Sequence, residues 1–328
     1  MKFSIVITTY NRLNLLKRAI NSALNQSIPC EIVVVDDNSS DGTQEYVTTL
    51  KRKLSVTSEK TIVYHRNQSN LGHSQSVNAG VSLASCEWIK PLDDDDYLAP
   101  NCLAQLNQAI KLYPYAVICS SQAKQVNEAG EELTITRQVG SQPIVAIPQD
   151  DIHYGMLLEM LPFGTPAQVV FKRNIFLQTG GWDSGLDTNF DDIDSWVKIA
   201  QFGDAIFINQ CLAYRTIWPG AYNHKISFQK RLETNILIKR RIYDCVSSKY
   251  QAIMPSFAAI TRYLQLHWSL AAIKQGKISV ASKNAIPACF CWQAWQLLIN
   301  RVSKSNAYCN SLPSHSPALV KERVQMFD

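Results

Sequence analysis

No stretch of this 328-residue chain stays apolar for the ~20 residues that a membrane-spanning helix requires. The longest apolar segment, Asn284 to Ile299, is interrupted by Pro287, Gln293 and Gln296. The opening MKFSIVITTYNR has one lysine and too short an apolar run for a secretory leader, so the expected location is the cytoplasm. No repeat recurs at the spacing of solenoid proteins, and no Gly/Ser-rich or Pro-rich tract announces a flexible linker, so a second domain, if there is one, is expected to pack against the first. The nine cysteines supply neither a disulfide framework nor a zinc site. Most, such as Cys86, Cys102, Cys119 and Cys211, sit in apolar segments where a thiol behaves as a small buried hydrophobe, and the closest pair, Cys289 and Cys291, has no matching second pair or histidine cluster. A reducing compartment fits that usage.

What remains is the composition of an ordinary globular protein, 46% hydrophobic and 18% charged, long enough for one large domain with an appendage or for two. The net charge of +5 conceals an asymmetry, because residues 1–220 carry 17 basic and 23 acidic side chains while residues 221–328 carry 15 and 4. The basic segment suits an anionic membrane face, or is simply a solvated helical surface. Nucleic acid is not an expected partner, because the acidic larger part would repel phosphate chains.

The first 120 residues alternate short β-rich runs with helical spacing, the pattern of βαβ units and a largely parallel sheet. Ser4–Thr8, Glu31–Val35, Thr61–His65 and Glu87–Leu92 read as strands, and helices follow the first three, beginning with the stripe Leu13, Leu16, Ile20 and Leu24 behind Asn11 as a candidate cap. Further strands are expected at 116–120, 132–137, 168–172 and 205–208, with a helix after Asp191. Beyond about residue 225 only amphipathic helices are legible, which places a domain change near 220. The fold class is therefore α/β, a mixed, mostly parallel sheet flanked by helices, with residues 1–220 as one domain and 221–328 as a basic helical appendage.

Polar clusters follow strands one, two and four, and ligands of open α/β sheets bind beyond the carboxyl ends of the strands, so one cleft can be shared by all three. The four consecutive carboxylates Asp93 to Asp96 repel one another unless a cation joins them, and hard oxygen donors suit Mg²⁺ or Mn²⁺ shared with substrate phosphates. The bland alternative is an exposed acidic turn near a helix start. VVVDDNSSDGT sets Asp36 and Asp37 at a strand end, where a carboxylate can accept hydrogen bonds from a base or ribose, although Asp and Ser are also ordinary turn formers. TTYNR, Thr8 to Arg12, offers hydroxyls, a ring and a guanidinium for a nucleotide. FDDIDSW puts Asp191 and Asp192 at a helix start, as a candidate general base or as charges favoured there by the helix dipole alone.

In this order and spacing, TTYNR, DDNSSDGT, NLGHSQSVNAG, DDDDY and GGWD followed by DDIDSWVKIAQFG closely resemble family 2 glycosyltransferases of the GT-A fold, over about residues 3–220. The resemblance implies an inverting transferase that uses a nucleotide-sugar, a UDP-sugar before other donors, with Mn²⁺ or Mg²⁺. It implies that Thr8 and Tyr10 contact the nucleoside, that Asp37 accepts from the base, that Asp93 and Asp94 lie along ribose and diphosphate, and that Asp95 is the principal metal ligand. Asp192 would be the catalytic base, Trp182 would stack on a sugar face, and Asp183 and Asp191 would line the acceptor side. The chain departs from the family at Asp191, where Glu is more common, at Val77, where Arg is common, and at Ile217, where His is common and for which His224 is a candidate substitute. The acceptor implied is a cell-surface glycan or lipid-linked oligosaccharide. The rival readings are a polyprenyl-phosphate acceptor at the membrane, with the C-terminal helices on the bilayer, and a catalytically weak nucleotide-sugar-binding scaffold.

Overall fold

The computed structural model describes residues 2–57, 61–186, 190–218, 226–274, 276, 285 and 288–303. Its centre is β1 (Phe3–Thr9), buried at every position as a strand covered on both faces must be. Parallel ladders join it to β2 (Glu31–Asp36) and β4 (Trp88–Asp93), with β3 (Thr61–Arg66) beyond β2. Crossover helices α1 (Leu13–Leu24), α2 (Thr43–Thr57) and α3 (His73–Leu83) link these strands. Successive β1 side chains enter opposite cores: Ile5 and Ile7 meet Leu16 and Ile20 of α1, while Val6 meets Val77 and Val81 of α3. The approach of α3 requires a glycine, because a Cβ on Gly80 would stand 2.4 Å from Val6 Cγ1.

The sheet continues through β5 (Tyr97–Leu98), β6 (Ala116–Val126), β7 (Glu132–Ile135), β8 (Ile144–Ile147), β9 (Val169–Lys172) and β10 (Asp204–Thr216). The strand order is β3-β2-β1-β4-β9-β6-β10-β5, with β7 on β6 and β8 on β10. The longer ladders are parallel, and β9 is inserted antiparallel between β4 and β6. Helices α4 (Cys102–Leu112), α5 (Gln149–Leu157), α6 (Arg173–Gln178) and α7 (Asp191–Ile199) complete the flanks.

Two departures from the sequence pattern have physical causes. β10 runs well past the 205–208 stretch, because register shifts against β6 after Ile208 and Cys211 break the alternation that marks a strand. Helix α5 carries no apolar stripe, since Asp151 and His153 are buried along with Ile152, Tyr154, Met156 and Leu157.

Lys90 on β4 is enclosed, and its ammonium donates to the carbonyls of Pro91 (3.3 Å), Pro166 (3.0 Å), Ala167 (2.6 Å) and Val169 (3.0 Å). A charge this deep is tolerated only with such partners, and burial pulls it down to about 8, still protonated at neutral pH. It ties β4 to the turn that carries Thr165 and Pro166.

The last described helices are α8 (Phe228–Asp244), α9 (Phe257–Lys274) and α10 (Trp292–Ser303). Ile238 and Ile242 of α8 and Ile260 of α9 enter the same core as Val6 and Val77, whereas Leu232, Leu264 and Ala294 form a separate cluster. Helix α8 thus belongs to both. Among the described residues no helix is long and apolar enough to cross a membrane.

Candidate active site

The three polar loops open on one cleft of about 500 Å³ at the carboxyl ends of β1, β2 and β4. Its walls include Thr8, Tyr10, Asp37, all four aspartates Asp93 to Asp96, Trp182, Asp191 and Asp192. Asn11 does not cap the helix behind it. It takes a left-handed φ of 53° and its Oδ1 accepts from the Ser40 amide (2.8 Å), while the Leu13 amide at the start of α1 donates to Asp41 (2.8 Å). Each loop therefore caps the other's neighbourhood, a pairing across 28 residues that local spacing does not announce.

Thr8 is nearly enclosed and Tyr10 keeps a half-exposed ring. Asp37 accepts from Asn67 Nδ2 (2.7 Å) and from the amides of Leu71 (2.8 Å) and Gly72 (2.9 Å), which pins the 67–72 loop to the cleft wall. Asp36 lies inside, accepting from the Ser39 amide (2.7 Å) and the Tyr64 hydroxyl (2.7 Å).

In the aspartate loop, ligand-capable oxygens of Asp93, Asp95 and Asp96 lie within 4.8 Å of one another. Asp94 instead points at β1, accepting from Thr9 Oγ1 (2.7 Å) and Arg12 (3.0 Å), and burial above all pushes its carboxyl up to about 7. Asp95 accepts from Trp218 Nε1 (3.0 Å), with Arg12 at 3.4 Å, and Asp96 accepts from the Thr216 amide (2.9 Å). Burial, and after it the neighbouring carboxylates, raises both Asp95 and Asp96. Burial opposes ionisation of Asp93 too, but His73 and Arg12 outweigh it and hold that carboxyl below its ordinary range. Arg12 and its neighbours do not neutralise the whole cluster, and a divalent cation suits the remaining oxygens.

The facing wall is built from the GGWD turn and α7. Gly181 has φ 72° and a Cβ there would meet Asn78 Oδ1 at 2.4 Å, so the turn lies tight on α3, where Asn78 exchanges hydrogen bonds with the Trp182 backbone (2.8 and 3.0 Å). Trp182 is only 3% exposed and meets His73 and Trp196 edge-on. Asp183 stands outside the cleft lining, its carboxylate accepting from the Gly185 amide (2.9 Å) and Arg241 (3.2 Å). Asp191 accepts from Ser74 Oγ (2.9 Å) and from the Asp192 amide (3.0 Å). Among the described residues the Asp192 carboxylate accepts only from the adjacent Ile193 amide (2.7 Å), and burial, then Asp191, raises its carboxyl to about 7.

Sequence reasoning missed His73, which joins the two walls: Nε2 lies 3.0 Å from Asp93 and Nδ1 3.7 Å from Asp191. Burial alone would depress the imidazolium, but the two carboxylates together raise it well above its ordinary value. Its signal was a histidine at a helix start, meaningless until residues 20 and 118 positions away arrive beside it. Arg215 on the cleft wall was missed likewise, while Arg12, whose guanidinium the TTYNR motif offers to a nucleotide, lines the same cleft and lies over the Trp218 ring (5.2 Å). His224 lies outside the described residues.

A model of Glycosyl transferase family 2 matches residues 4–179, more than half of the chain. A GalNAc(5)-diNAcBac-PP-undecaprenol beta-1,3-glucosyltransferase of Campylobacter jejuni is 39% identical over 109 residues, 33% of this chain and 34% of that protein. The chain spans only 32% to 40% of the length of the first curated relatives it matches. S. aureus TarS 1–349 in complex with UDP-GlcNAc has a TM-score of 0.60 at 15% identity, over 93% of this chain and 92% of that one. The mannosyltransferase PcManGT of Pyrobaculum calidifontis, in complex with GDP-Man and Mn²⁺, has 0.53 at 20%, over 93% and 80%. At these identities the two structures establish a shared fold.

Proposed function

Because the chain belongs to glycosyl transferase family 2, we propose that it moves a sugar from a nucleotide-sugar, a UDP-sugar first, to an acceptor hydroxyl of a cell-surface glycan or lipid-linked oligosaccharide, with inversion at the anomeric carbon. The observation that carries this reading is the meeting, in one cleft, of a carboxylate cluster short of cations and a separate raised carboxyl, Asp192, on the facing wall. Residues 1–220 form the catalytic domain, and 221–328 are the basic region, mainly helical among the described residues. Thr8 and Tyr10 take the nucleoside, Asp37 its base, and Asp93 and Asp94 the ribose and diphosphate side.

Asp95 is the principal ligand for Mn²⁺ or Mg²⁺, with Asp93 and Asp96 close enough to assist, and the mutual repulsion of these buried carboxylates favours the fit. The bound ion supplies Lewis-acid stabilisation of negative charge on the departing diphosphate. Asp192 removes the acceptor proton as the hydroxyl oxygen bonds to the anomeric carbon and the bond from that carbon to the diphosphate oxygen breaks, the electron pair leaving with the nucleoside diphosphate. Asp191 and Trp182 shape the acceptor side, and holding the reactants in line supplies much of the remaining rate. The UDP-GlcNAc and the GDP-Man with Mn²⁺ held by the two solved structures of this fold support a nucleotide-sugar and a metal.

Calorimetric titration with UDP, GDP, dTDP and CMP, each with Mn²⁺ and with excess EDTA, tests this directly. One nucleotide is expected to bind in Mn²⁺ alone. Absence of binding by all four would sink the donor assignment and turn the reading to a scaffold.

A specific observation favours the membrane version of the acceptor. Phe290 is 90% and Trp292 69% exposed, in the segment whose 15 basic residues outnumber 4 acidic ones, and exposed aromatic side chains in a basic segment suit an anionic interface. The named acceptor of the Campylobacter jejuni relative is itself lipid-linked. The protein is expected to co-sediment with anionic vesicles even at high salt, and the Phe290→Ser, Trp292→Ser double variant is not. Equal sedimentation of both proteins removes these two side chains from the argument.

A further inference from the structure

Helix α7 begins without a conventional anchor. The residue before it, Phe190, is left-handed at φ 68° and makes no side-chain cap. Of the three aspartates in its first turn, Asp191 and Asp192 line the cleft, while Asp194 turns inward with a side chain 1% exposed. A carboxylate buried that deeply needs cations. Lys198, one turn along the same helix, lies 3.1 Å away, and it also donates to the Gly181 carbonyl (2.5 Å). The other cation is Arg241 of α8, whose Nη1 donates to Asp194. The same guanidinium donates to Asp183 from Nη1 (3.3 Å) and Nη2 (3.2 Å). One side chain therefore clasps the GGWD turn and the first turn of α7, the two segments that bracket the acceptor wall.

Helix α8 can bear that load because it is itself fixed. Ile238 and Ile242, buried in the sheet's core on either side of Arg241, hold the helix there; the enclosed Lys239 ammonium, donating to the carbonyls of Met156 (2.9 Å) and Leu157 (2.7 Å), is a separate tie to the end of α5. For α7 to slide or tilt, the enclosed Asp194 carboxylate would have to part from Arg241, which leaves a buried charge underpaired. We infer that Arg241 is a positioning residue: it lies outside the cleft lining and holds the helix that carries Asp192, so that helix α8 is part of the catalytic apparatus. This rests on the transferase reading for the role of Asp192, but the clasp itself is independent of it.

The test compares Arg241→Gln with Lys239→Met, which loosens α8 from α5 without touching α7. Arg241→Gln is expected to lower kcat about 100-fold, the cost of roughly an ångström of misplacement, with nucleoside-diphosphate Kd within about twofold because the donor wall is untouched. Amides 191–199 are expected to exchange about tenfold faster, while those of β1 and β4 do not change. Lys239→Met is expected to lower the melting temperature but to keep kcat within about threefold, since it leaves the clasp in place. Arg241→Lys keeps the charge without the two-pronged geometry; it is expected to recover part of kcat and carries the same comparison if the Gln variant does not fold. Wild-type kcat with unchanged exchange at 191–199 would overturn the proposal, as would an equal loss of kcat in Lys239→Met. If the wild-type protein transfers no sugar, the functional reading fails, and exchange at 191–199 still decides whether the clasp holds α7.

Discussion

Asp192→Asn is expected to lower kcat about 10³-fold, the ordinary contribution of a well-placed general base, and to leave nucleoside-diphosphate affinity unchanged. The asymmetry follows from geometry. Among the described residues the Asp192 carboxylate has only its neighbouring Ile193 amide as a hydrogen-bond partner, whereas Asp191 accepts from Ser74 and the Asp192 amide and lies beside His73. Asp191→Asn therefore disturbs the supporting contacts and is expected to cost about tenfold, less than removing the base itself. Should Asp191→Asn be the variant that abolishes transfer, the base is misassigned by one residue. The wild-type rate also carries a pH signature. The base must be ionised, and its carboxyl is raised to about 7, so kcat is expected to climb through neutral pH and level off above it. Stability moves the other way. A carboxyl that holds its proton more tightly when folded favours folding less as pH rises from its unfolded value towards about 7, so the Asn variant is expected to melt above wild type at pH 8 but not at pH 4. A flat pH profile in wild type would remove Asp192 from the chemistry.

The parts of the fold that the sequence made legible are those governed by local rules. Val6 and its neighbours in β1, and the apolar run of β2, are buried on both faces, so they read as parallel strands, and the polar residues beyond them read as a shared cleft. Asp93 to Asp96 stand out because four adjacent charges need an explanation wherever they occur. What escaped depends on distance through space. Asn11 looked like a cap for its own helix, yet a left-handed backbone turns its side chain to Ser40. His73 acquires meaning only from Asp93 and Asp191, and Asp183, grouped by motif with the acceptor wall, is drawn to Arg241, 58 residues on. Charge pairs in folded chains are chosen by the packing of helices, and periodicity carries no record of which faces will meet.

Asp95→Ala is expected to abolish the metal dependence of nucleotide binding: affinity in Mn²⁺ falls at least about 100-fold, beyond what loss of a supporting contact costs, and EDTA no longer changes it. The argument is one of charge. In the protein itself Asp95 is answered by the Trp218 indole and, at 3.4 Å, by Arg12, whose guanidinium also serves Asp94 at 3.0 Å. That is too little for a group whose carboxyl is raised by burial and by Asp93, and Asp95 in turn raises Asp96. Removing Asp95 therefore relieves repulsion in the metal-free protein while deleting the proposed principal ligand of the ion. The two effects have opposite signs and are read in one melting experiment. In EDTA at pH 8 the variant is expected to melt at or above wild type; with Mn²⁺ and the cognate nucleotide, wild type is expected to gain stability by mass action and the variant is not. Metal-dependent stabilisation that survives in Asp95→Ala would transfer the ligand role to Asp93 and Asp96, whose oxygens lie within the same 4.8 Å.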